Sequence, residues 1–153
     1  MIVYYLRLFT GTVLLFVLSF FLIITGIKDI KYRKICNRDI FYICITGIIL
    51  RIYSLKPGVV SIIAGVISIS IFLIASVLIV PESFGGGDIK LLMASSFFLG
   101  MNIWNALAIA VFASFPFVLS IVISDKKVRY FPFGPYICLG IFIQTLFFLY
   151  GLT

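Results

Sequence analysis

Long apolar runs, separated by short polar or glycine- and proline-containing stretches, make up almost the whole chain. About 20 apolar residues are enough for a helix to cross the hydrocarbon layer of a membrane. The runs therefore predict about six transmembrane helices, over residues 8–27, 40–53, 59–80, 89–101, 103–123 and 136–150. This pattern indicates an all-α, polytopic membrane protein. Six such spans leave no room for a separate soluble domain, so we expect residues 1–153 to form a single integral-membrane domain.

Composition favours the same fold class, because 63% of the residues are hydrophobic and 11% are charged. A soluble domain has roughly half apolar and a quarter charged residues. The net charge of +7 comes from basic residues clustered between apolar runs, which is typical of a cytoplasmic membrane face. We therefore expect membrane lipid as a partner and no nucleic acid. The 17 Phe and 8 Tyr residues are expected to be mostly lipid-facing or interfacial anchors.

Small residues indicate where the predicted helices pack closely. Ala94, Ser95 and Ser96 lie in the fourth span, and Ala106 and Ala110 lie four residues apart in the fifth. Small side chains allow membrane helices to approach one another.

Loop charges predict the orientation in the membrane. The first and fifth connections carry eight basic residues and Lys90 flanks the third, whereas three basic residues fall on the opposite side. The positive-inside rule then places these three connections in the cytoplasm and both termini outside. Asp29, after the first span, and Asp88, before the fourth, therefore lie on the same face. We expect the cytoplasmic (inner) membrane as the location, with the site facing the cytoplasm.

Three consecutive glycines, Gly85, Gly86 and Gly87, precede Asp88 at the edge of an apolar run. One interpretation of Asp88 is an N-cap that accepts hydrogen bonds from the first turn of the next helix. An N-cap does not explain the glycines, which indicate a backbone that moves or is approached closely. A phosphate-binding loop is another alternative, but the lysine and hydroxyl residue that it requires at fixed offsets are absent.

Asp29 lies in a basic segment, where an alternative role is a solvated ion pair with Lys28 or Arg33. The remaining acidic residues are expected on the same solvated face; they are Asp39, Glu82 and Asp125. The basic segment itself is expected to fix the topology and to attract anionic lipid headgroups.

Missing residue types narrow the possible chemistry. The chain has no histidine, which excludes Ser-His and Cys-His nucleophile systems and hydrolysis by a histidine-bound metal. Cys36, Cys44 and Cys138 are widely spaced and form no CxxC pair, so no zinc site or disulfide framework is predicted. A Ser-Lys pair remains formally possible, although no serine has an obvious nucleophile setting. We expect no metal and no cofactor.

Two carboxylates at one membrane–water boundary remain. Such a pair can share one proton, because like charges a few ångströms apart cannot both ionise. One carboxylate then activates water as a general base, while the protonated one polarises the scissile carbonyl. Asp29 and Asp88 are therefore the candidate catalytic residues of an aspartyl peptidase.

Three segments together resemble a known family. Residues 85–90 (GGGDIK) resemble the GxGD motif of the bacterial type IV prepilin peptidases and their archaeal preflagellin-peptidase relatives. Residues 29–37 are similar to the family's first motif, an aspartate followed by a basic segment and Ile-Pro-Asn. Here Cys36 stands in the place of the proline, and Lys31 stands where arginine is common. Residues 131–135 (FPFGP) resemble the family's late Pro-Phe-Gly-Pro segment.

The resemblance implies an aspartyl endopeptidase that removes a basic leader from prepilin or pseudopilin precursors, cutting after a glycine on the cytoplasmic side. Asp29 and Asp88 would be catalytic. An active-site loop would contain Gly85, Gly86, Gly87 and Lys90, with Arg33 and Asn37 as supporting residues. Longer members carry an extra cytoplasmic domain with paired CxxC motifs, linked to N-methylation. Nothing here corresponds to it, so the chain resembles the short tight-adherence (Tad) branch, and we expect no N-methyltransferase activity.

One alternative belongs to another class of protein, a small membrane transporter or pilus-assembly scaffold whose aspartates bind a cation or a partner. Acidic residues near the middle of spans would favour this alternative. All five acidic residues instead lie in or beside predicted cytoplasmic loops.

Overall fold

Helices account for almost all of the chain that the computed structural model describes, namely residues 2–54, 58–80, 84–123 and 132–149. In chain order they are α1 (Ile2–Tyr32), α2 (Asn37–Ser54), α3 (Val59–Ile79), α4 (Gly86–Leu99), a 3-10 turn (Gly100–Asn102), α5 (Ile103–Ile123) and α6 (Gly134–Leu149). No β-strand occurs within these ranges, so the predicted all-α class is confirmed.

Six described α-helices occupy the six predicted spans, although two of them are not separated by a loop. Across the described ranges, α4, the 3-10 turn and α5 follow one another without a loop, which leaves five continuous helical segments. The sequence placed only Asn102 between the fourth and fifth spans, and one residue is too short for a loop. Three stretches are long and apolar enough to cross a membrane, and they are Phe9–Tyr32, Val59–Ile79 and Gly86–Ile121.

The break between α4 and α5 occurs at Gly100. Its φ of 59° lies in the left-handed region that favours glycine, and no other described glycine has a positive φ. The turn packs directly on α3, because a Cβ at Gly65 would overlap the Gly100 carbonyl group. The Met101 N–H also donates to Ser61 Oγ at 3.2 Å. The end of α4 is thereby held against the first turns of α3.

Helix α4 lies in the interior and contacts α2, α3, α5 and α6. Of the predicted small residues, Ser95, Ser96, Ala106 and Ala110 are buried, whereas Ala94 is only partly buried. Gly140 of α6 faces the two alanines so closely that a Cβ there would overlap the Ala106 carbonyl oxygen. Small side chains therefore allow α5 and α6 to pack backbone against backbone.

The outer surface of the described helices is apolar. Val60 on α3 is 81% exposed, and Phe112 on α5 is 79% exposed. Soluble proteins rarely expose apolar surface on this scale. An apolar interior within an apolar exterior is the arrangement of a protein whose solvent is lipid.

Candidate active site

Asp29 lies in the last turn of α1, and not in a loop after the first span as the sequence predicted. The helix continues through Lys28 and Lys31 because neither residue interrupts helical hydrogen bonding where the apolar run ends. The Asp29 side chain is buried, with 8% exposure, and its Oδ2 accepts a hydrogen bond from the Gly134 N–H at 3.2 Å. Asp29 is therefore fixed by a residue 105 positions away in the sequence.

Gly134 is the first residue of α6, and its lack of a side chain makes room for Asp29. A Cβ at this position would lie 2.5 Å from Oδ2 and 2.9 Å from Cγ of Asp29. The N-terminus of a helix presents free N–H groups and a partial positive charge, which favour an anion. The sequence placed Gly134 in the FPFGP segment without giving it a role, and that segment was the only signal available for it.

Asp88 is the third residue of α4, and the N-cap interpretation is wrong. The N-cap is Gly85, whose backbone is extended, with φ −64° and ψ 142°. The Asp88 carboxylate instead accepts a backbone hydrogen bond from Gly85. A side chain at the third helical position that reaches back to the N-cap N–H forms one half of a capping box. Asp88 is therefore held by its own helix end.

The structure brings the two aspartates together. The carboxylates of Asp29 and Asp88 are close enough to interact electrostatically. The C-terminus of α1 contacts the N-terminus of α6 through Asp29 and Gly134, and the N-terminus of α4 approaches the segment that follows α1 at Ile35.

The three consecutive glycines have different surroundings. A Cβ at Gly87 would lie 2.9 Å from Cβ of Ile35, in the connection between α1 and α2. A Cβ at Gly85 would lie 3.2 Å from Oδ2 of Asp88, and a Cβ at Gly86 would meet no atom within 4 Å. The close approach predicted for this run is therefore confirmed at Gly87. Movement of the run stays a prediction.

Lys90 of the predicted active-site loop contacts Asn37, one of the two predicted supporting residues. Lys90 Nζ donates to Asn37 Oδ1 at 3.1 Å, which links the first turn of α4 to the first residue of α2. Arg33 lies just beyond α1, where its N–H donates to the Asp29 carbonyl oxygen at 2.8 Å. Its side chain is exposed. Lys90 and Asn37 therefore connect two helices at this end, whereas Arg33 faces outward.

Asp39 was predicted on the solvated basic face, and this prediction is wrong. Its side chain is 7% exposed, and its Oδ2 accepts a hydrogen bond from Lys28 Nζ at 2.7 Å. The reason is that the first turn of α2 packs against α1. Lys28 thus forms an ion pair with Asp39 and not with Asp29. Glu82 and Asp125, predicted on the same face, lie outside the described residues.

Aromatic rings support the segments that lead into α4 and α6. Phe84, directly before the glycine run, lies 6.0 Å from Phe133, directly before Gly134, measured between ring centroids. Phe72 of α3 continues the cluster, with centroids 6.3 Å from Phe84 and 5.2 Å from Trp104. Each such pair contributes about 0.5–1.5 kcal/mol beyond its buried area. These partly buried rings differ from the mostly lipid-facing aromatics that the sequence predicted.

The assembled site offers two carboxylates and backbone N–H donors at two helix N-termini. Within the described ranges, no group of three or more His, Cys, Asp or Glu side chains could hold a metal ion. An adjacent carboxylate pair is suited to moving a proton to and from a water molecule.

A protein-family model matches most of this structure. The model of the type IV leader peptidase family covers residues 16–124, a range that contains both Asp29 and Asp88 and ends before Gly134. No curated protein and no solved structure matches the chain. The family match extends over more than half of the chain, from α1 through α5. The chain therefore belongs to the type IV leader peptidase family.

Proposed function

We propose that the chain is a membrane aspartyl endopeptidase that cleaves the basic leader from type IV prepilin-like precursors at the cytoplasmic face of the inner membrane. The observation that carries this proposal is the meeting of Asp29 and Asp88 at three helix ends. Membership of a leader peptidase family supports the reaction class. The apolar exterior supports a membrane-embedded enzyme.

In the proposed reaction, one ionised carboxylate removes a proton from a water molecule. The resulting hydroxide attacks the scissile carbonyl carbon, while the second, protonated carboxylate hydrogen-bonds to the carbonyl oxygen. The tetrahedral intermediate then collapses: the first carboxyl gives the proton taken from water to the amide nitrogen, and the C–N bond breaks. The pair ends with one proton, as it began, so no cofactor is needed.

The surroundings give each carboxylate a stable position for these steps. The Gly134 N–H fixes Oδ2 of Asp29, and the backbone of Gly85 fixes Asp88. Positioned hydrogen bonds of this kind keep the reacting groups within the short distances that catalysis needs. Water is the second substrate, and the exposed backbone at Gly85 and Gly86 leaves one side of the pair open to it.

The position of the pair supports the substrate class that the family resemblance implies. A precursor with an apolar helix could remain in lipid while its leader junction reaches the helix ends that carry Asp29 and Asp88. The peptide must be extended at the bond that is cut, because a helical backbone hides its carbonyl groups in internal hydrogen bonds. A junction between a basic leader and an apolar helix meets both requirements.

The transporter or scaffold alternative gains no support from the positions of the acids. A cation pathway is expected to place acids near the middle of membrane helices. Asp29 lies in the last turn of α1, and Asp88 lies in the first turn of α4.

Co-expression with a prepilin, followed by a gel-shift assay for the shortened product, tests the proposed function. We expect Asp29→Asn and Asp88→Asn each to reduce cleavage by at least about a thousandfold, because asparagine keeps the size but cannot cycle a proton. Asp39→Asn is the matched control, since this buried carboxylate pairs with Lys28 and should not be needed for cleavage. Processing that survives both substitutions at Asp29 and Asp88 would refute the assignment.

A further inference from the structure

An apolar groove of about 350 Å³ runs between α1 and α6. Its floor contains Leu22 and Cys138, which are 2% and 5% exposed, and its open rim contains Ile23 and Ile27, which are 61% and 58% exposed. The volume lies within the range of about 300–1,000 Å³ that is usual for small-molecule sites. Ser19 is the one hydroxyl among the lining residues, and it already donates to the Phe16 carbonyl oxygen at 2.7 Å. The groove therefore suits an apolar occupant.

The length of the groove matches one leaflet of a membrane. Its α1 wall extends from Ser19 to Ile30, which is about 16 Å along a helix. The hydrocarbon layer is about 30 Å thick, so one leaflet is about half of that. An acyl chain occupies one leaflet, whereas a transmembrane helix needs a surface about twice as long. The groove dimensions thus favour an acyl chain over a second membrane helix.

The groove ends at a positively charged surface. The last α1 residue that lines the groove is Ile30, and Arg33 follows directly after the end of α1. Lys31, Arg33 and Lys34 are all exposed at this end. The nearby described acids do not neutralise them, because Asp29 is buried and Asp39 pairs with Lys28. An anionic headgroup is complementary to this surface, and a basic peptide is not.

The backbone at Arg33 is unusual. Its φ is 52°, and among the described residues it is the only non-glycine residue with a positive φ. This position directly after a helix usually carries glycine, and a side chain there costs about 1 kcal/mol. A strained position that carries arginine suggests that the guanidinium is used, and its planar fork matches a phosphate group.

We propose that the groove between α1 and α6 binds one anionic phospholipid, with an acyl chain between the helices and the phosphate group at Arg33. The bound lipid would lie one helical turn from Asp29 and would form a wall beside the carboxylate pair. The site does not depend on the peptidase proposal, because lipid binding can be measured without any cleavage.

Native mass spectrometry of the purified full-length chain tests this site. We expect one dioleoyl phosphatidylglycerol to remain bound in preference to dioleoyl phosphatidylcholine. Arg33→Gln should reduce that occupancy about fivefold, the effect expected for one basic residue near an anionic headgroup. Ser19→Trp and Leu139→Trp fill the groove from opposite walls and should each reduce it at least as much.

Two matched controls keep the test specific. Arg38→Gln removes an exposed charge from the first turn of α2, and Ile71→Trp enlarges an exposed apolar residue on α3. Both should retain the lipid at the level of the unmodified chain. Circular dichroism of every variant checks that the helices are intact, and the two tryptophan variants guard against one of them failing to fold.

Several results would overturn the lipid site. Equal retention of both lipids, or equal losses with Arg33→Gln and Arg38→Gln, would mean diffuse attraction to the basic surface. Unchanged retention in both tryptophan variants would mean that the groove is not the site. A native dimer that Ser19→Trp disrupts would assign the groove to a second copy of the chain. Loss of precursor cleavage with unchanged lipid retention in Ser19→Trp would assign it to the substrate.

Discussion

Asp29 and Asp88 reach the same site by different means. Asp29 lies in the last turn of α1, the longest described helix, and is 8% exposed. Its carboxylate accepts a hydrogen bond from Gly134, at the start of a helix far away in the sequence. Asp88 begins a short helix, is more exposed, and is held by Gly85 three residues before it. One carboxylate is positioned by tertiary structure and the other by its own helix end.

This difference indicates which substitutions should displace each carboxylate. The hydrogen bond between Gly85 and Asp88 forms whenever the first turn of α4 forms. Asp88 therefore keeps this bond even if α4 shifts as a unit. The hydrogen bond from Gly134 to Asp29 exists only while α1 and α6 are correctly packed. Substitutions that separate these helices should therefore affect Asp29 first.

Among variants that keep both aspartates, Gly134→Ala should have the largest effect, because it disturbs the contact that holds Asp29. The added Cβ would overlap the Asp29 carboxylate and move it by about 1 Å, a displacement that costs about a hundredfold in rate. Overpacking also costs about 1–3 kcal/mol of stability. A precursor-processing assay and a thermal midpoint in detergent measure the two effects. A rate within twofold of the unmodified chain would show that Asp29 does not need this contact.

Gly87→Ala should have the next largest effect, because its Cβ would press on Ile35 beside the pair. We expect about tenfold slower cleavage, from a smaller displacement than at Gly134. Adding Ile35→Gly removes the facing Cβ and should restore much of the rate, as a double-mutant cycle would show. Gly86→Ala is the matched control, since its Cβ meets nothing within 4 Å. If Gly86→Ala slows cleavage equally, the run needs mobility and not space.

Asp39→Asn should lower stability by about 1–2 kcal/mol and leave cleavage by the folded protein intact. The magnitude lies between exposed ion pairs, worth about 0–1 kcal/mol, and buried ones, whose disruption costs about 3–5 kcal/mol. Lys28 is 35% exposed and Asp39 is 7% exposed in this pair, which places it between the two classes. A thermal midpoint that does not change would show that the pair contributes nothing to joining α1 and α2.

Lys90→Met should have the smallest effect. It removes one exposed hydrogen bond to Asn37 and should lower the free energy of unfolding by about 0.5–1 kcal/mol. Asn37→Ala should give a similar loss, and the double variant should lose no more than either one alone. Cleavage that falls a hundredfold in Lys90→Met would instead place this amine in the reaction.

Local sequence patterns predicted the helices well, because a long apolar run must be buried in lipid or protein wherever the rest of the chain lies. They also predicted that Asp29 and Asp88 could meet, since two spans separate them. They did not predict the Asp39–Lys28 pair or the Gly134 contact with Asp29. Both depend on how one helix is rotated against another, and the apolar runs carry almost no periodicity that would fix that rotation.

The shortness of α4 has a consequence for the membrane itself. Its 14 residues span about 21 Å, and the 16 residues of α6 span about 24 Å, both less than the hydrocarbon thickness of about 30 Å. Hydrophobic mismatch of this kind draws the lipid surface inward around short helices. The starts of α4 and α6 would then lie at the bottom of a local depression in the bilayer. Water could reach the carboxylates there without a channel, and a precursor would need to lift only a short length of its chain out of the lipid.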